Sequence, residues 1–145
     1  MSEIISLQLT DEQIARLDRA AQKAGQTRAE MAATLLEEAF RLSEFPFVEF
    51  RDWGAGREAF LAGTRLRIWW VAQLVRDLGG DTAYVAKNWN LREVEVEAAV
   101  KYADAFSDEI EAVIADNRRR ADELERKLSK SKGKTVDLTA DAPAS

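Results

Sequence analysis

The sequence contains no cysteine and no histidine, and it has two prolines and seven glycines among its 145 residues. Without cysteine there can be no disulfide framework and no thiolate chemistry. Without histidine the commonest general base and metal ligand is missing. The sequence also has no Walker-type glycine loop and no recognisable pair of catalytic carboxylates. We therefore expect a protein that is not an enzyme and that binds no metal or cofactor.

Long apolar runs are missing as well, since no stretch approaches the roughly 18 residues that a membrane-spanning helix needs. The chain begins with a polar strand pattern and a capped helix, so we expect no secretory signal and no membrane partner. A cytoplasmic location is the default expectation. The hydrophobic share of 46 % is ordinary for a globular protein, and this length allows one domain or two small ones.

The formal net charge is −5, which argues against a chain built to coat nucleic acid. It does not exclude specific binding by a locally basic surface. Between Phe45 and Arg76, five arginines stand against three acidic residues. That local excess of positive charge is small.

The chain opens with a segment that predicts a short strand. Its side chains alternate between two faces, which is the period of extended chain. The face made only of large apolar residues is expected to point into a core, and the mixed face is expected to point outward. The first face carries Ile5, Leu7 and Leu9, and the second carries Ile4, Ser6 and Gln8.

Two helices are predicted after this strand. Thr10 and Thr27 each have a Gln or Glu three residues later, which is the spacing of a capping box, and Gly25 is a natural stop for the first helix. The second helix has two adjacent apolar stripes, a width that implies cover on more than one side. About forty residues cannot bury a core alone, so we expect a second copy of the segment to provide the cover. The stripes are Met31, Leu35 and Ala39, and Ala32, Leu36 and Phe40.

The strand and two capped helices of residues 1–42 resemble the ribbon-helix-helix fold of the Arc/MetJ class, which VapB-type antitoxins also use. The resemblance implies a dimer whose antiparallel ribbon lies in the DNA major groove and reads base edges, with a helix N-terminus near phosphate. The outward strand face has no Lys or Arg, which leaves open a ribbon used only for dimerisation. The implied DNA-contacting residues are Ile4, Ser6, Gln8, Thr27 and Arg28.

The pattern of residues 43–106 predicts a second domain, which begins with extended chain. Pro46 must lie beyond the end of the preceding helix, because the residue before a proline is pushed out of the α region. Two short strands are expected before a glycine turn, and residues 65–68 are predicted as a third strand. Arg65 and Arg67 would project from one face of that strand, either as a solvated surface or as a contact for phosphate or a partner.

Three helices are predicted after the strands. Gly79-Gly80 should end the first, Asp81 should cap the second, and the third should begin near Arg92 after a turn at Asn90. A helix, a short turn and a second helix form the outline of a helix-turn-helix. The four tryptophans of this region are more typical of a core than of a base-stacking site. The buried face expected for the third helix consists of Val94, Ala98 and Tyr102.

The stretch from Gly63 to Phe106 is similar to the domain-of-unknown-function-433 family, and the likeness covers roughly residues 47–106. Members of that family look like small winged helix-turn-helix domains, and many resemble antitoxins encoded beside PIN-like ribonuclease toxins. The matching motifs are Gly63-Thr64-Arg65-Leu66, Trp89-Asn90-Leu91 and Ala98-Ala99-Val100-Lys101-Tyr102.

One feature of this second domain departs from a DNA-reading module. Its predicted recognition helix carries Glu93, Glu95 and Glu97, and an acidic helix is poorly suited to a polyanionic groove. We therefore expect the domain to serve protein interaction or to support the dimer, with any DNA contact made by Arg65 and Arg67.

Residues 107–132 predict a final helix capped by Ser107, and residues 133–145 predict a disordered tail. The helix has an a/d heptad pattern that is short for a coiled coil, so packing on its own domain and pairing with a partner helix both stay open. Val136-Asp137-Leu138 is the one candidate anchor in the tail. We expect helix and tail to serve a protein partner rather than DNA. The heptad positions are Ile110, Ile114, Asn117, Ala121, Leu124 and Leu128.

The predicted fold class is mainly α, with an N-terminal ribbon-helix-helix dimerisation segment, a small winged helix-turn-helix-like domain and a C-terminal helix. The two resemblances imply a DNA-binding antitoxin of a type II toxin–antitoxin system. It would bind operator DNA as a dimer or higher oligomer and neutralise a PIN-like ribonuclease toxin. The alternative is a dimeric protein-interaction adaptor without DNA binding.

Overall fold

The computed structural model describes residues 2–53 and 56–135. Within these ranges the chain forms six helices and one two-stranded antiparallel sheet, so the predicted mainly α class is confirmed. The chain divides into two compact units, Met1–Tyr102 and Ala103–Ser145. None of the helices in the described ranges combines the length and apolar character needed to cross a membrane.

The first two helices, α1 (Asp11–Ala24) and α2 (Arg28–Glu44), begin at capping boxes as predicted. At α1 the Thr10 hydroxyl accepts the Gln13 N–H at 3.1 Å, and the Thr10 N–H donates to the Gln13 side chain at 2.9 Å. Thr27 and Glu30 repeat both bonds at the start of α2. These reciprocal bonds satisfy backbone donors that a helix start leaves free.

The ends of these helices also follow the predicted signals. Gly25 has a φ of 66°, a left-handed conformation that glycine adopts without steric cost. The second helix ends at Glu44, two residues before Pro46. The boundary between residues 42 and 43 therefore falls within the last turn of α2 rather than in a linker.

An antiparallel hairpin follows, made of β1 (Val48–Trp53) and β2 (Gly56–Leu61). Val48 pairs with Leu61 at one end and Trp53 with Gly56 at the other. This pairing buries Phe60 and Leu61. The two strands expected before the turn are confirmed.

The third strand predicted at residues 65–68 is wrong. Arg67 forms a single bridge to Phe60, and Ile68 is already the first residue of α3 (Ile68–Asp77). The turn around Gly63 occupies the preceding residues, because the Leu61 N–H donates to the Leu66 carbonyl at 2.9 Å. Only Leu66 and Arg67 remain between the turn and the helix, which is too short a stretch for a strand. The apolar residues that follow have a helical period and form α3.

Helices α3, α4 (Thr82–Asn88) and α5 (Glu93–Ala105) follow the predicted order. The Asp81 carboxylate accepts the Tyr84 N–H at 2.9 Å. Asn90 has a positive φ of 54° in the turn before α5, a conformation that Asn tolerates better than most residues. Gly79 and Gly80 both have positive φ where the first of these helices stops.

The buried face of α5 differs by register from the predicted one. Ala98 and Tyr102 are buried as expected, but Val94 is 49 % exposed, and Val96 and Ala99 are fully buried instead. Both Val94 and Val96 fit an apolar stripe of helical period. The choice between them is made by packing against other elements, which the periodicity of one helix does not encode.

The core of the first unit lies among the hairpin and helices α3 to α5. Trp69 belongs to it, and its indole N–H donates to Glu58 at 2.6 Å. Trp70 and Trp89 meet edge to face at 6.0 Å between ring centroids. Trp53 is instead 55 % exposed, so the expectation of a tryptophan-rich core holds only in part. The largest fully buried side chains are Leu61, Ile68, Val71, Val85, Val96 and Tyr102.

The second unit consists mainly of the long helix α6 (Ser107–Thr135). Ser107 is its first helical residue rather than a residue before the helix, and the helix runs past the predicted end at 132. Ile110 and Ile114 are buried, whereas Leu124 and Leu128 are 58 % and 53 % exposed. The heptad is therefore satisfied only at its start. The predicted anchor at residues 136–138 and the rest of the tail beyond 135 lie outside the described residues.

A buried ion pair joins α2 to the hairpin within the first unit. Glu38 is 7 % exposed and accepts two hydrogen bonds from Arg57, at 2.6 Å from Nη2 and 3.0 Å from Nε. These bonds raise the pKa of the Arg57 guanidinium, with Asp52 as a second cause. Asp52 is in turn bonded to Lys23 on α1 at 3.0 Å. A chain of charges thus connects both N-terminal helices to the hairpin.

Removal of the Glu38 carboxylate should destabilise the protein. Glu38→Ala leaves Arg57 with Asp52 alone, and Arg57 is 30 % exposed, so we expect a loss of about 2 kcal/mol in the free energy of unfolding. Urea denaturation followed by circular dichroism measures it. Glu44→Ala, an exposed position on the same helix, should change stability by less than about 0.5 kcal/mol. Equal effects of the two substitutions would contradict a structural role for the pair.

Candidate nucleic-acid interface

The N-terminal segment, residues 2–10, forms neither helix nor strand in the single chain. Ile4 is 100 % exposed, and Ser6 and Gln8 are exposed as well. The predicted strand is therefore not formed here, for a physical reason. The backbone N–H and C=O groups of an extended segment need a neighbouring strand to bond to, and the single chain offers none at this place.

The face predicted to point inward is also uncovered. Ile5 and Leu7 are 69 % and 58 % exposed, and Leu9 is 39 % exposed. On α2, Leu36 and Phe40 are 40 % and 57 % exposed. Together with Leu35 these side chains form what we call the N-terminal apolar surface. Soluble monomers rarely leave so many large apolar side chains in one region open to water.

A groove of about 400 Å³ lies between α1 and α2 and includes Leu9 and Leu35 of this surface. Arg16 at its edge is an exposed cation with no ion pair among the described residues, and the sequence reading did not single it out. The lining residues are Leu9, Gln13, Arg16, Leu17, Ala20 and Leu35.

Thr27 and Arg28, the predicted phosphate contacts, are both engaged within the chain. Arg28 donates to both carboxylate oxygens of Asp18, at 2.8 and 2.9 Å. These bonds hold the pKa of Asp18 below its usual value and raise the pKa of Arg28. Thr27 is bonded to Glu30 through the capping box. With one cation and two carboxylates, this helix start carries a local charge of −1.

The sequence gives no local sign of the Asp18–Arg28 pair. The two residues are ten positions apart and lie on different helices. They meet because the short turn at Gly25 brings the start of α2 close to α1. Only the packing of the two helices against each other could have pointed to the pair.

The strand face predicted for Arg65 and Arg67 is not formed, because this stretch makes only a single bridge at Arg67 before α3 begins. Arg65 is exposed near the Gly63 turn and has no ion pair among the described residues. The guanidinium of Arg67 stacks over the Trp53 ring at 4.4 Å from its centroid. Its Nε is buried, without a hydrogen bond, and 3.5 Å from a Glu58 oxygen. That distance makes an ion pair but not a directed bond, so Arg67 acts within the fold.

The Gly63-Thr64-Arg65-Leu66 motif builds a turn. Gly63 has a φ of 74°, which favours glycine. The Thr64 hydroxyl donates to the Leu61 carbonyl at 2.9 Å and accepts the Leu66 N–H at 3.0 Å. The residue types at these positions are explained by the turn itself, and the motif needs no ligand to account for it.

The carboxylate of Glu49 fixes this turn to the hairpin. It accepts two bonds from Arg51, at 2.9 and 3.0 Å, and one from the Gly63 N–H at 3.2 Å. Arg51 first, and then the Gly63 backbone, lower the pKa of Glu49 to about 2. Glu49 therefore stays ionised at any physiological pH and keeps these bonds.

Helix α5, the candidate recognition helix, presents an acidic surface. Glu93 and Glu97 are exposed, and Glu93 accepts a bond from the Thr82 hydroxyl at 3.0 Å. Arg92 is paired with Glu95 at 2.8 Å. The described residues also contain no group of three or more His, Cys, Asp or Glu side chains that could hold a metal ion.

Comparison of the chain with protein-family models, with curated proteins and with solved structures finds no significant match. The likenesses to ribbon-helix-helix proteins and to the domain-of-unknown-function-433 family therefore stay predictions.

Proposed function

We propose that this protein is a dimeric DNA-binding antitoxin of a type II toxin–antitoxin system. The observation that carries the proposal is the N-terminal apolar surface, which lies next to a segment with no strand partner. A second copy of the same segment would supply both missing parts. Two extended segments would pair as an antiparallel ribbon, and the two apolar surfaces would cover each other.

The paired ribbon would have one face for the core and one for DNA. Ile5, Leu7 and Leu9 would turn inward onto α2, and the remaining side chains would turn outward. Of these, Gln8 has both a donor and an acceptor and can make a bidentate contact to adenine in the major groove. Ile4 can make apolar contact with a thymine methyl group, and Ser6 can donate or accept a single bond.

The second domain and α6 would serve the toxin. The acidic surface of α5 supports a protein-binding role for residues 43–106, because it would repel a DNA backbone. Leu124 and Leu128 are exposed on α6, where a partner helix or groove could cover them. A PIN-like ribonuclease is the partner class that the resemblance implies.

The alternative, a dimeric adaptor without DNA binding, is favoured by the helix start at α2. There Arg28 is neutralised by Asp18, and Glu30 is held at the helix N-terminus by the capping box. Both arrangements reduce attraction for phosphate. The two functions share the dimer and differ only in whether the ribbon reads bases.

The dimer predicts that thermal stability rises with protein concentration, because association stabilises the folded chain by mass action. Calorimetry over a hundred-fold range of concentration, with the mass in solution measured in parallel, tests this. Leu36→Ser should weaken the dimer. Leu78→Ser is a matched control, since the two leucines are 40 % and 38 % exposed and Leu78 lies at the C-cap of α3, outside residues 1–42. If the midpoint of thermal unfolding does not depend on concentration and the mass in solution is that of a monomer, the protein is not a dimer and the proposal is wrong.

Base reading predicts that Gln8→Ala weakens binding to the DNA upstream of the protein's own reading frame by about ten-fold or more, since a bidentate contact contributes roughly 1–3 kcal/mol. The dependence on salt should barely change, because Gln8 neutralises no phosphate. Arg28→Ala tests the implied phosphate contact, because Arg28 would have to exchange Asp18 for a phosphate. If that exchange occurs, the variant weakens upstream and scrambled duplex alike and lowers the salt slope by about one unit. If Asp18 keeps Arg28, neither quantity changes. Titrations of labelled duplexes at several salt concentrations measure both effects.

The control for this experiment is Gln22→Ala, an exposed glutamine on α1, which should bind the upstream fragment like the parent protein. If Gln8→Ala also binds like the parent, the ribbon does not read bases and the adaptor function is favoured.

The toxin partner predicts that a small PIN-like nuclease is encoded beside this protein and co-purifies with it on co-expression. Leu124→Ser with Leu128→Ser should reduce the co-purified nuclease by about ten-fold or more, because two exposed apolar contacts are lost. Binding to DNA should be unchanged. Leu78→Ser again serves as the control. Full co-purification by the double variant would place the toxin contact elsewhere.

A further inference from the structure

The charge of this acidic protein is concentrated unevenly along its length. Residues 118–132 hold seven basic and three acidic side chains, a net charge of +4. Because the whole chain carries −5, the remaining residues carry −9. The basic stretch is the exposed second half of α6. No comparable excess of positive charge occurs at the N-terminal apolar surface.

Three cations of this stretch lie on one side of the helix, which we call the basic face. Arg126, Lys127 and Lys130 line one groove of about 270 Å³ together with Glu123, so its net charge is +2. Arg126 and Lys130 also line a neighbouring groove with Asp122 and Glu125, so the excess of positive charge is on the side of Lys127. None of the three makes an ion pair among the described residues. Arg119 and Arg120 differ from them, since both are bonded to Asp116, at 2.7 and 3.1 Å. The uncompensated charge therefore lies toward the end of the helix.

The spacing of this basic face suits a phosphate backbone. Arg126 and Lys130 are four residues apart, which is about 6 Å along a helix at 1.5 Å per residue. Successive phosphates of one DNA strand rise by about 3.4 Å along the duplex axis and also turn around it, so neighbouring phosphates lie roughly twice that far apart. The two cations can therefore face adjacent phosphates of one strand.

The apolar residues of the helix lie on a different side. At about 100° per residue, Leu124 and Leu128 are turned more than about 100° from the centre of the basic face. Helices that lie on membranes carry a broad apolar face with Trp, Phe or Leu. Here two leucines and no aromatic residue occur between 118 and 132. These features favour a nucleic acid over a lipid surface as the polyanion.

We infer that the basic face of Arg126, Lys127 and Lys130 binds the phosphate backbone of double-stranded DNA without regard to sequence. This inference rests on the proposed function, in which the ribbon reads bases but has little positive charge of its own. The face supplies the electrostatic affinity that the ribbon lacks. The last helix then binds DNA with one side and a protein partner with another. The sequence alone predicted only the protein partner.

The test compares two variants of the full chain. Arg126→Gln, Lys127→Gln and Lys130→Gln together remove the basic face and keep side-chain length and helix propensity. Arg118→Gln with Lys132→Gln removes two cations from other sides of the same helix. The probe is a labelled 30-base-pair duplex of random sequence, titrated at several salt concentrations between about 50 and 200 mM. Circular dichroism at 222 nm checks that the helix is retained.

The triple variant should bind the random duplex at least about ten-fold more weakly at the lowest salt, and the slope of log affinity against log salt should fall by about 2–3 units. The double variant should change that slope by less than about one unit. The inference is overturned if the triple variant binds like the parent. It is also overturned if both variants lose affinity only in proportion to the charge removed, or if the parent binds phosphatidylserine vesicles but not the duplex.

Failure of this inference can be told apart from failure of the proposed function. If the basic face plays no part, the parent and the triple variant keep the same preference for the upstream fragment over scrambled duplex, and the salt slope is unchanged. If the ribbon reads no bases, the parent binds both duplexes equally, and the triple variant still lowers the affinity for each. The two measurements use the same proteins and the same probes.

Discussion

The apolar surface at the N-terminus is the constraint on which the rest of the structure depends. Burial of apolar area is the main favourable term in folding, yet the first segment and α2 keep Ile5, Leu7 and Phe40 more than half exposed. The two helices and their capping boxes are formed in the single chain, whereas the strand before them and the cover of this surface are missing.

The ion pair between Glu38 and Arg57 holds α2 and the hairpin in a fixed position relative to each other. A surface pair contributes little to stability, but Glu38 is buried, and an unpaired charge there would be costly. If two copies of α2 pack together as proposed, this bond fixes where each hairpin stands relative to the dimer axis. The acidic α5 would be positioned in the same way, since its Tyr102 hydroxyl accepts a bond from Arg41 of α2 at 2.7 Å.

Features that depend on neighbouring residues were predicted well from the sequence, whereas contacts between distant residues were not. The caps at Thr10 and Thr27, the stop at Gly25 and the turn at Asn90 depend on residues within four positions of each other. The third strand was wrong because the turn at Gly63 and the helix after it left no room for pairing. The register of α5 and the Asp18–Arg28 and Glu38–Arg57 pairs depend on packing between elements, which one sequence does not show. The ribbon stays a prediction because its partner is another chain.

The negative charge of the protein limits how it could bind DNA. A protein with net charge −5 can bind DNA only if its few uncompensated cations are kept apart from its acidic surfaces. Arginines 28, 57 and 67 are each matched to a carboxylate in the fold, and so cannot supply much attraction for phosphate. The cations of α6 between 126 and 130 are not matched in this way. Sequence reading by an uncharged Gln8 and affinity from a separate basic helix would then be two independent functions.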